Sequence, residues 1–311
     1  MLIFVLSSSR WCNMRFKRQQ RFKKIISYTL LFTLIIFFFF PIYWMILTAF
    51  KPAGDAFAIP PKFVFTPTLE AFEAIFNPEI VIERGKTAAT FHWIPPLPPA
   101  IWARNTFNSI IVAITSTIIC LFIGMLGAYA LSRYNPLIAN KILYIIIGLR
   151  MLPPIAVLLP YYIIMKTLGL VDTYVSIVLA HTALNLPFIL WLLWGFMKDL
   201  PRELDESAMI DGCTEYGCLI RIILPIAAPA MVTAAIFAFI WSWNEFLFAL
   251  VLTARNTQTL PVMMATYISE EGPLWSYMCA TGSLITLPPL VIAFTLSKYF
   301  MRGLAFGAIK G

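Results

Sequence analysis

Charge is what this sequence has least of. Charged residues make up 12% of its 311 positions, while 60% are hydrophobic. A soluble protein of this length carries about 25% charged residues. The shortage excludes an ordinary water-facing surface, so lipid must cover much of the molecule. Histidine is nearly absent, with His92 and His181 the two present. There is no H-E-x-x-H, no G-x-S-x-G and no pair of membrane aspartates, which removes the usual intramembrane hydrolase chemistries. No G-x-x-x-x-G-K-[ST] phosphate loop occurs either, so nothing in this sequence reads as a nucleotide-hydrolysing engine. The five cysteines, Cys12, Cys120, Cys213, Cys218 and Cys279, are odd in number and fit no zinc or disulfide spacing. They read as small apolar fillers, and no metal site is expected. The opening MLIFVLSSSR has too short an apolar run, with no basic residue before it, for a signal peptide. Met14 opens a more ordinary beginning, so residues 1–13 are expected to come from an upstream start codon.

What is present is apolar length. A bilayer core of roughly 30 Å needs about 20 apolar residues as helix. Six stretches qualify, at about 25–50, 105–131, 142–164, 174–197, 229–253 and 274–299. The third is interrupted by Pro153, Pro154 and Pro160. The expected fold is an all-α integral membrane protein, with a body of six transmembrane helices over 25–300. The net charge of +8 would suit nucleic acid, but its distribution argues otherwise. Seven basic residues crowd into 1–24 with no acid among them, which reads as a topology signal and an anchor for anionic lipid headgroups. With the N-terminus inside, fifteen Lys and Arg fall on inner segments and seven on outer ones. Both termini are therefore expected to be cytoplasmic.

Two connections are long. The outer segment 51–104 is proline-rich, and its PTLEAFEAIF suits a short amphipathic helix. The inner segment 198–225 reads KDLPRELDESAMIDGCTEYGCLIRIILP and holds six acids against three bases. Pro201 stands where a helix can start. Glu203, Asp205 and Glu206 suit a helix N-terminus. Gly212 can end that helix, and Thr214 can cap a second one. Two short helices around a glycine corner are more than a connector needs. The pattern suggests a docking element; a solvated amphipathic loop is the alternative.

Within that segment ESAMIDGCTEYGCLIRIILP resembles the conserved cytoplasmic loop of permease subunits of binding-protein-dependent ABC importers. Glu206, Ser207 and Ala208 fill its Glu-Ala-Ala triplet, with Ser207 a mild departure. Gly212 fills its glycine, and Ile222, Leu224 and Pro225 its Ile-x-Leu-Pro end. FPIYWMILTAFKP (40–52), MLPPIAVLLPYYIIMKTLGLVDT (151–173), LPFILWLLWGFMKDLP (186–201), WNEFLFALVLT (243–253) and GLAFGAIKG (303–311) resemble the maltose-type carbohydrate branch. Lys298 and Phe306 depart from that pattern. The resemblance implies a coupling helix, with Glu203, Asp205, Glu206, Ser207, Ala208, Asp211 and Gly212, followed by Leu224 and Pro225, set against a cytoplasmic ATPase. It implies that the tail, with Gly303, Gly307, Lys310 and Gly311, reaches toward that ATPase, a frayed end being the alternative. It further implies a bacterial inner membrane and a second homologous permease. Two ATPase subunits would hold ATP and Mg, so this chain carries no cofactor. An extracytoplasmic solute-binding protein would deliver the carbohydrate, with 51–104 a candidate contact.

Ionisable groups at membrane depth are costly and mark pathways or buried pairs. Arg150 lies eight residues into the third stretch, just before Pro153 and Pro154. A broken helix beside a charge suits a solute path; a structural pair is the alternative. Trp241, Trp243, Asn244 and Glu245 form a second cluster, either a path lining or part of an interfacial aromatic belt. His181 and Asn185 share a helix face; an interhelical hydrogen bond is the favoured reading there, with solute contact the alternative that keeps Asn185 among the path candidates. A gradient-driven secondary transporter would need a chain of intramembrane carboxylates, and Glu245 alone is clear. That reading is the runner-up.

Overall fold

The computed structural model describes residues 2–76, 99–133, 136–269 and 272–308. Helix dominates throughout. α1 (Leu2–Ala49) carries the basic N-terminal segment directly into the first apolar stretch. Short helices α2 (Ala53–Ala56) and α3 (Glu70–Phe76) follow. α4 (Pro99–Arg133) is long, and α5 (Pro136–Leu149) and α6 (Pro154–Thr167) form a pair bent by 86°. α7 (Tyr174–Lys198) leads to the short α8 (Glu203–Ile210) and α9 (Glu215–Cys218). A π-helical turn over Leu219–Ile223 runs into α10 (Leu224–Trp243), and α11 (Leu247–Leu252) continues after a break. α12 (Leu260–Ala265), a two-residue antiparallel pair β1 (Ile268–Ser269) and β2 (Gly272–Pro273), and α13 (Trp275–Ala308) complete the chain.

Among the described residues, five helices are long and apolar enough to cross a bilayer, and the bent α5–α6 pair makes a sixth when counted as one span. The chain is thus an all-α multi-pass membrane protein. The proline-laden third stretch breaks at 150–153, ahead of Pro153 and Pro154, whereas Pro160 lies inside α6. The fifth stretch holds a break that its sequence did not announce, between Trp243 and Leu247. The helix expected within PTLEAFEAIF is α3, which buries Ala71, Ala74 and Ile75; residues 77–98 of the same connection lie outside the described residues.

The core is built from α4, α7 and α10. In lipid there is little hydrophobic force between helices, so close packing and hydrogen bonds hold them. α10 presents Ala227, Ala230, Ala234 and Ala238 at helical spacing, all buried. They pack with Cys120, Met125 and Ala128 of α4 and with Ile189, Leu193 and Met197 of α7. Gly127 lets α4 approach α7: a Cβ there would lie 2.9 Å from Leu190 Cδ1. From Asn108 to Arg133, α4 rises about 38 Å, more than a hydrocarbon core. Its two ends therefore face opposite sides of the membrane. α1 is exposed over most of its apolar length and joins the bundle near Thr48 and Ala49.

Candidate functional site

At the Arg133 end of α4 the chain turns through α8 and α9. α8 stops because Gly212 takes φ +86°, a backbone conformation that favours glycine. Cys213 N–H donates to Ala208 O at 3.0 Å and Gly212 N–H to Met209 O at 3.0 Å, the paired closure of a Schellman end. Thr214 Oγ1 then accepts from Gly217 N–H at 3.1 Å and caps α9. Pro201 lies just outside α8, whose N-cap is Arg202.

The two faces of this element differ. Asp205 and Ala208 are buried and face the bundle. Ala208 packs into the core beneath α4 and α10. Asp205 meets Arg133, with Oδ2 and Nη2 2.5 Å apart in a contact made by charge rather than by a well-aligned hydrogen bond. Tyr129 Oη donates to Asp205 Oδ1 at 2.9 Å, and Cys218 Sγ donates to the same oxygen at 3.2 Å. Two of the residues expected on a docking surface, Asp205 and Ala208, thus point inward. The outward face carries Glu203, Glu206, Ser207, Asp211 and Gly212, all exposed. It also carries apolar side chains that sequence reading passed over: Met209, Tyr216 and Ile210, the last 86% exposed. Their signal was available, since an isoleucine beside a turn glycine in a water-facing helix lacks a core to fill. Leu224 and Pro225 open α10, with Pro225 exposed. In the tail, α13 runs through Gly303 and Gly307; Lys310 and Gly311 lie outside the described residues.

Mid-bundle, the break between α5 and α6 carries Arg150. Its guanidinium carbon sits 4.1 Å from the Trp241 ring centre and 5.2 Å from that of Phe188. Phe188, Phe237 and Trp241 pack edge-on and tilted around one another, with ring centres 4.7–5.5 Å apart. Such stacking suits a planar cation and leaves its N–H edges free to donate sideways. Arg150 is exposed on the surface of the chain.

Glu245 is committed elsewhere. Its Oε1 accepts Phe248 N–H at 2.8 Å and its Oε2 accepts Ala249 N–H at 3.0 Å, which starts α11. His181 Nε2 lies 3.1 Å from Oε2, and its Nδ1 lies 2.7 Å from Ser242 Oγ. An Nε2–H tautomer satisfies both contacts. Ser242 and Ser116 are 2.9 Å apart, so the chain of polar groups ties α4, α7 and the α10–α11 break. Trp243 is buried with Nε1–H donating to Ile285 O at 3.0 Å. Asn185 is buried, and Asn244 is exposed with its amide donating to Ile240 O. Of the second cluster, Trp241 alone joins Arg150.

At the opposite end, Asp172 gathers the 254–257 loop. Its carboxylate accepts from the N–H groups of Ala254, Asn256 and Thr257 and from the Thr257 hydroxyl. Burial acts to raise its pKa, but these donors prevail and hold the carboxyl below its ordinary value. Asn108 supports the same loop through Asn256 O and Gln258 O, both at 2.9 Å. Lys51, also at this end, stacks 4.0 Å over Trp44, and its burial lowers the amine's pKa.

Residues 120–305, which include both breaks and the α8–α9 element, match the model of the binding-protein-dependent transport system inner membrane component. The chain belongs to that family. Similar proteins include the probable ABC transporter permease y4oR of Sinorhizobium fredii, 31% identical over 91% of this chain and 95% of that one. The diacetylchitobiose uptake system permease DasC of Streptomyces coelicolor is 32% identical over 88% of this chain and 92% of its own. The trehalose/maltose transport system permease MalG of Thermococcus litoralis is 33% identical over 94% and 99%. Among solved structures, a bacterial ABC transporter involved in import of the acidic polysaccharide alginate shares the fold. It has a TM-score of 0.69 at 19% identity and covers 91% of this chain and 98% of that one. This permease is thus the membrane component of an ABC-type import system, distinct from the subunit that hydrolyses ATP.

Proposed function

We propose that this permease carries a carbohydrate inward by alternating access, and that the α8–α9 element is the handle by which a separate ATPase drives it. The observation that carries the reading is the outward face of α8–α9. Ile210, Met209 and Tyr216 stand exposed among Glu203, Glu206 and Asp211 beyond the ends of the spans. An apolar tip in an acidic ring suits insertion into a cleft of a soluble partner. The basic N-terminal segment and the inner-segment excess of Lys and Arg support a cytoplasmic place for this end and both termini. The end of α13, with Gly303 and Gly307, is read as lying on the same side.

Two ATPase subunits holding ATP and Mg, a second similar permease and an extracytoplasmic binding protein complete the system. Relatives named for trehalose/maltose and diacetylchitobiose support a carbohydrate solute. The aromatic wall of Phe188, Phe237 and Trp241 with Arg150 supports the same class, since sugars are held by ring faces and polar edges. The path runs between the two permeases, past Arg150 and Trp241. The breaks at 150–153 and 244–246 divide two spans into rigid halves, which suits a two-state rearrangement biased by nucleotide.

Uptake of a panel of labelled disaccharides into membrane vesicles tests this reading. Uptake is expected to require ATP inside and the binding protein outside, and to persist with an uncoupler. Uptake driven by an ion gradient without ATP would contradict it. Arg150→Ala is expected to lower uptake about tenfold in assembled complexes, the scale of one lost charged hydrogen bond. Near-normal uptake in both Arg150→Ala and Trp241→Ala would remove them from the path.

A further inference from the structure

The Asp205 carboxylate is the one acid of α8 that faces away from the proposed docking side. It is 6% exposed. An acid in the first turn of a helix is favoured by the dipole without being buried, so the dipole does not account for its position. Its partners come from two separate stretches of chain. Arg133 and Tyr129 are the last turns of α4, and Cys218 closes α9 at the entry to α10. Arg133 Nη1 also donates to Leu200 O at 3.3 Å, on the strand of chain leaving α7. Its guanidinium lies over the Tyr129 ring at 5.7 Å.

The connectivity makes this contact consequential. The peptide chain joins α8 to α7 on one side and, through α9, to α10 on the other. No short covalent path joins it to α4. Apolar contacts such as Ala208 against the core push when compressed but part at little cost when pulled. An ion pair shielded from water resists separation as well. A buried pair adds little stability over an apolar substitute of the same shape, so stability alone is a weak reason for it.

We propose that Asp205, Arg133 and Tyr129 are positioning residues that make α4 follow the α8–α9 element in both directions of the transport cycle. The proposal rests on the reading of that element as the ATPase handle. Ala208 on the same face supplies the push, and the Asp205–Arg133 pair supplies the pull. Spans two, four and five then move as one body when the handle is displaced.

The test uses the complete transporter, purified and reconstituted with its binding protein, and reads solute transported per ATP hydrolysed. Asp205→Asn, Arg133→Gln and Tyr129→Phe keep side-chain volume while removing the charge or the donor. The first two are expected to assemble, to hydrolyse ATP within about twofold of the wild type, and to lower the transport-to-hydrolysis ratio about tenfold, the upper range for single coupling sites. Tyr129→Phe is expected to lower it by a smaller factor. The exchange Asp205→Arg with Arg133→Asp is expected to recover most of the ratio. An unchanged ratio, or equal losses of transport and hydrolysis, in assembled Asp205→Asn or Tyr129→Phe complexes would overturn the proposal. Should Arg133→Gln fail to assemble, those two variants and the exchange decide it. Ile210→Asp separates the underlying reading: it is expected to release the ATPase subunits. ATPase retained by Ile210→Asp would contradict the handle itself, whatever the ratio in the other variants.

Discussion

Single residues in this permease act mainly by satisfying backbone that a membrane protein cannot leave unpaired. Glu245 is the clearest case, since it replaces the intrahelical partners that α11 lacks at its start. Glu245→Ala removes that cap and leaves His181 without one of its two partners. It is expected to cost about 1–2 kcal/mol, read as a lower unfolding midpoint in detergent, whereas Glu245→Gln is expected to cost less. Equal midpoints for wild type and Glu245→Ala would contradict this role. Asp172 does the same for the 254–257 loop. Its folded pKa is depressed, so its contribution is full above the ordinary carboxylate range and is lost as pH falls through the folded value. Hydrogen exchange at 252–258 is expected to show steady protection relative to Asp172→Asn at neutral pH, with the difference starting to shrink near the ordinary carboxylate range and vanishing only below the depressed folded value. A difference that grows on acidification would contradict the sign. Neither role was legible from sequence. Glu245 reads as an intramembrane charge; its Phe248 and Ala249 partners are local, but only the fold brings His181 to it; Asp172 is one acid in GLVDT until the 254–257 loop arrives.

Elements were legible where local chemistry decides them. Apolar length gave the spans, and Gly212 with Thr214 gave the two helices of the 198–225 segment and the corner between them. The break in the fifth stretch was not legible, because SWNEF contains neither proline nor glycine; Glu245 caps α11 locally, while His181 and Ser116, which hold Glu245 and Ser242, come from distant helices. The inward turn of Asp205 was hidden for the same reason: its partner Arg133 lies 72 positions away. The corner itself is testable. Gly212→Val forces a β-branched residue into a left-handed conformation, at about 1–2 kcal/mol. It is expected to raise hydrogen exchange across 208–214 about tenfold, with the spans unaffected. Unchanged exchange at 208–214 would show that the corner does not depend on glycine.

At the scale of the whole molecule, the chain is one part of an assembly. α1 leaves most of its apolar length uncovered, and Arg150 with its aromatic wall opens on the chain's surface rather than into a closed cavity. In the proposed assembly those faces meet lipid and a second permease. The multi-pass all-α architecture and its family could be read from apolar runs and the ESAMIDGCTEYGCLIRIILP segment. The tertiary pairings of that segment could not, because they join residues of α4, α8 and α9. The central claim is that this lever is gripped from the cytoplasm by a nucleotide-hydrolysing subunit. Its most direct test is a thiol cross-link from Ile210→Cys, in a background with Cys12, Cys120, Cys213, Cys218 and Cys279 replaced by serine or alanine, within intact cells. The account predicts an adduct with the ATPase subunit whose yield changes when ATP is trapped in the complex. Labelling of Ile210→Cys by a membrane-impermeant thiol reagent added outside the cell, with no adduct to any nucleotide-hydrolysing protein, would contradict it.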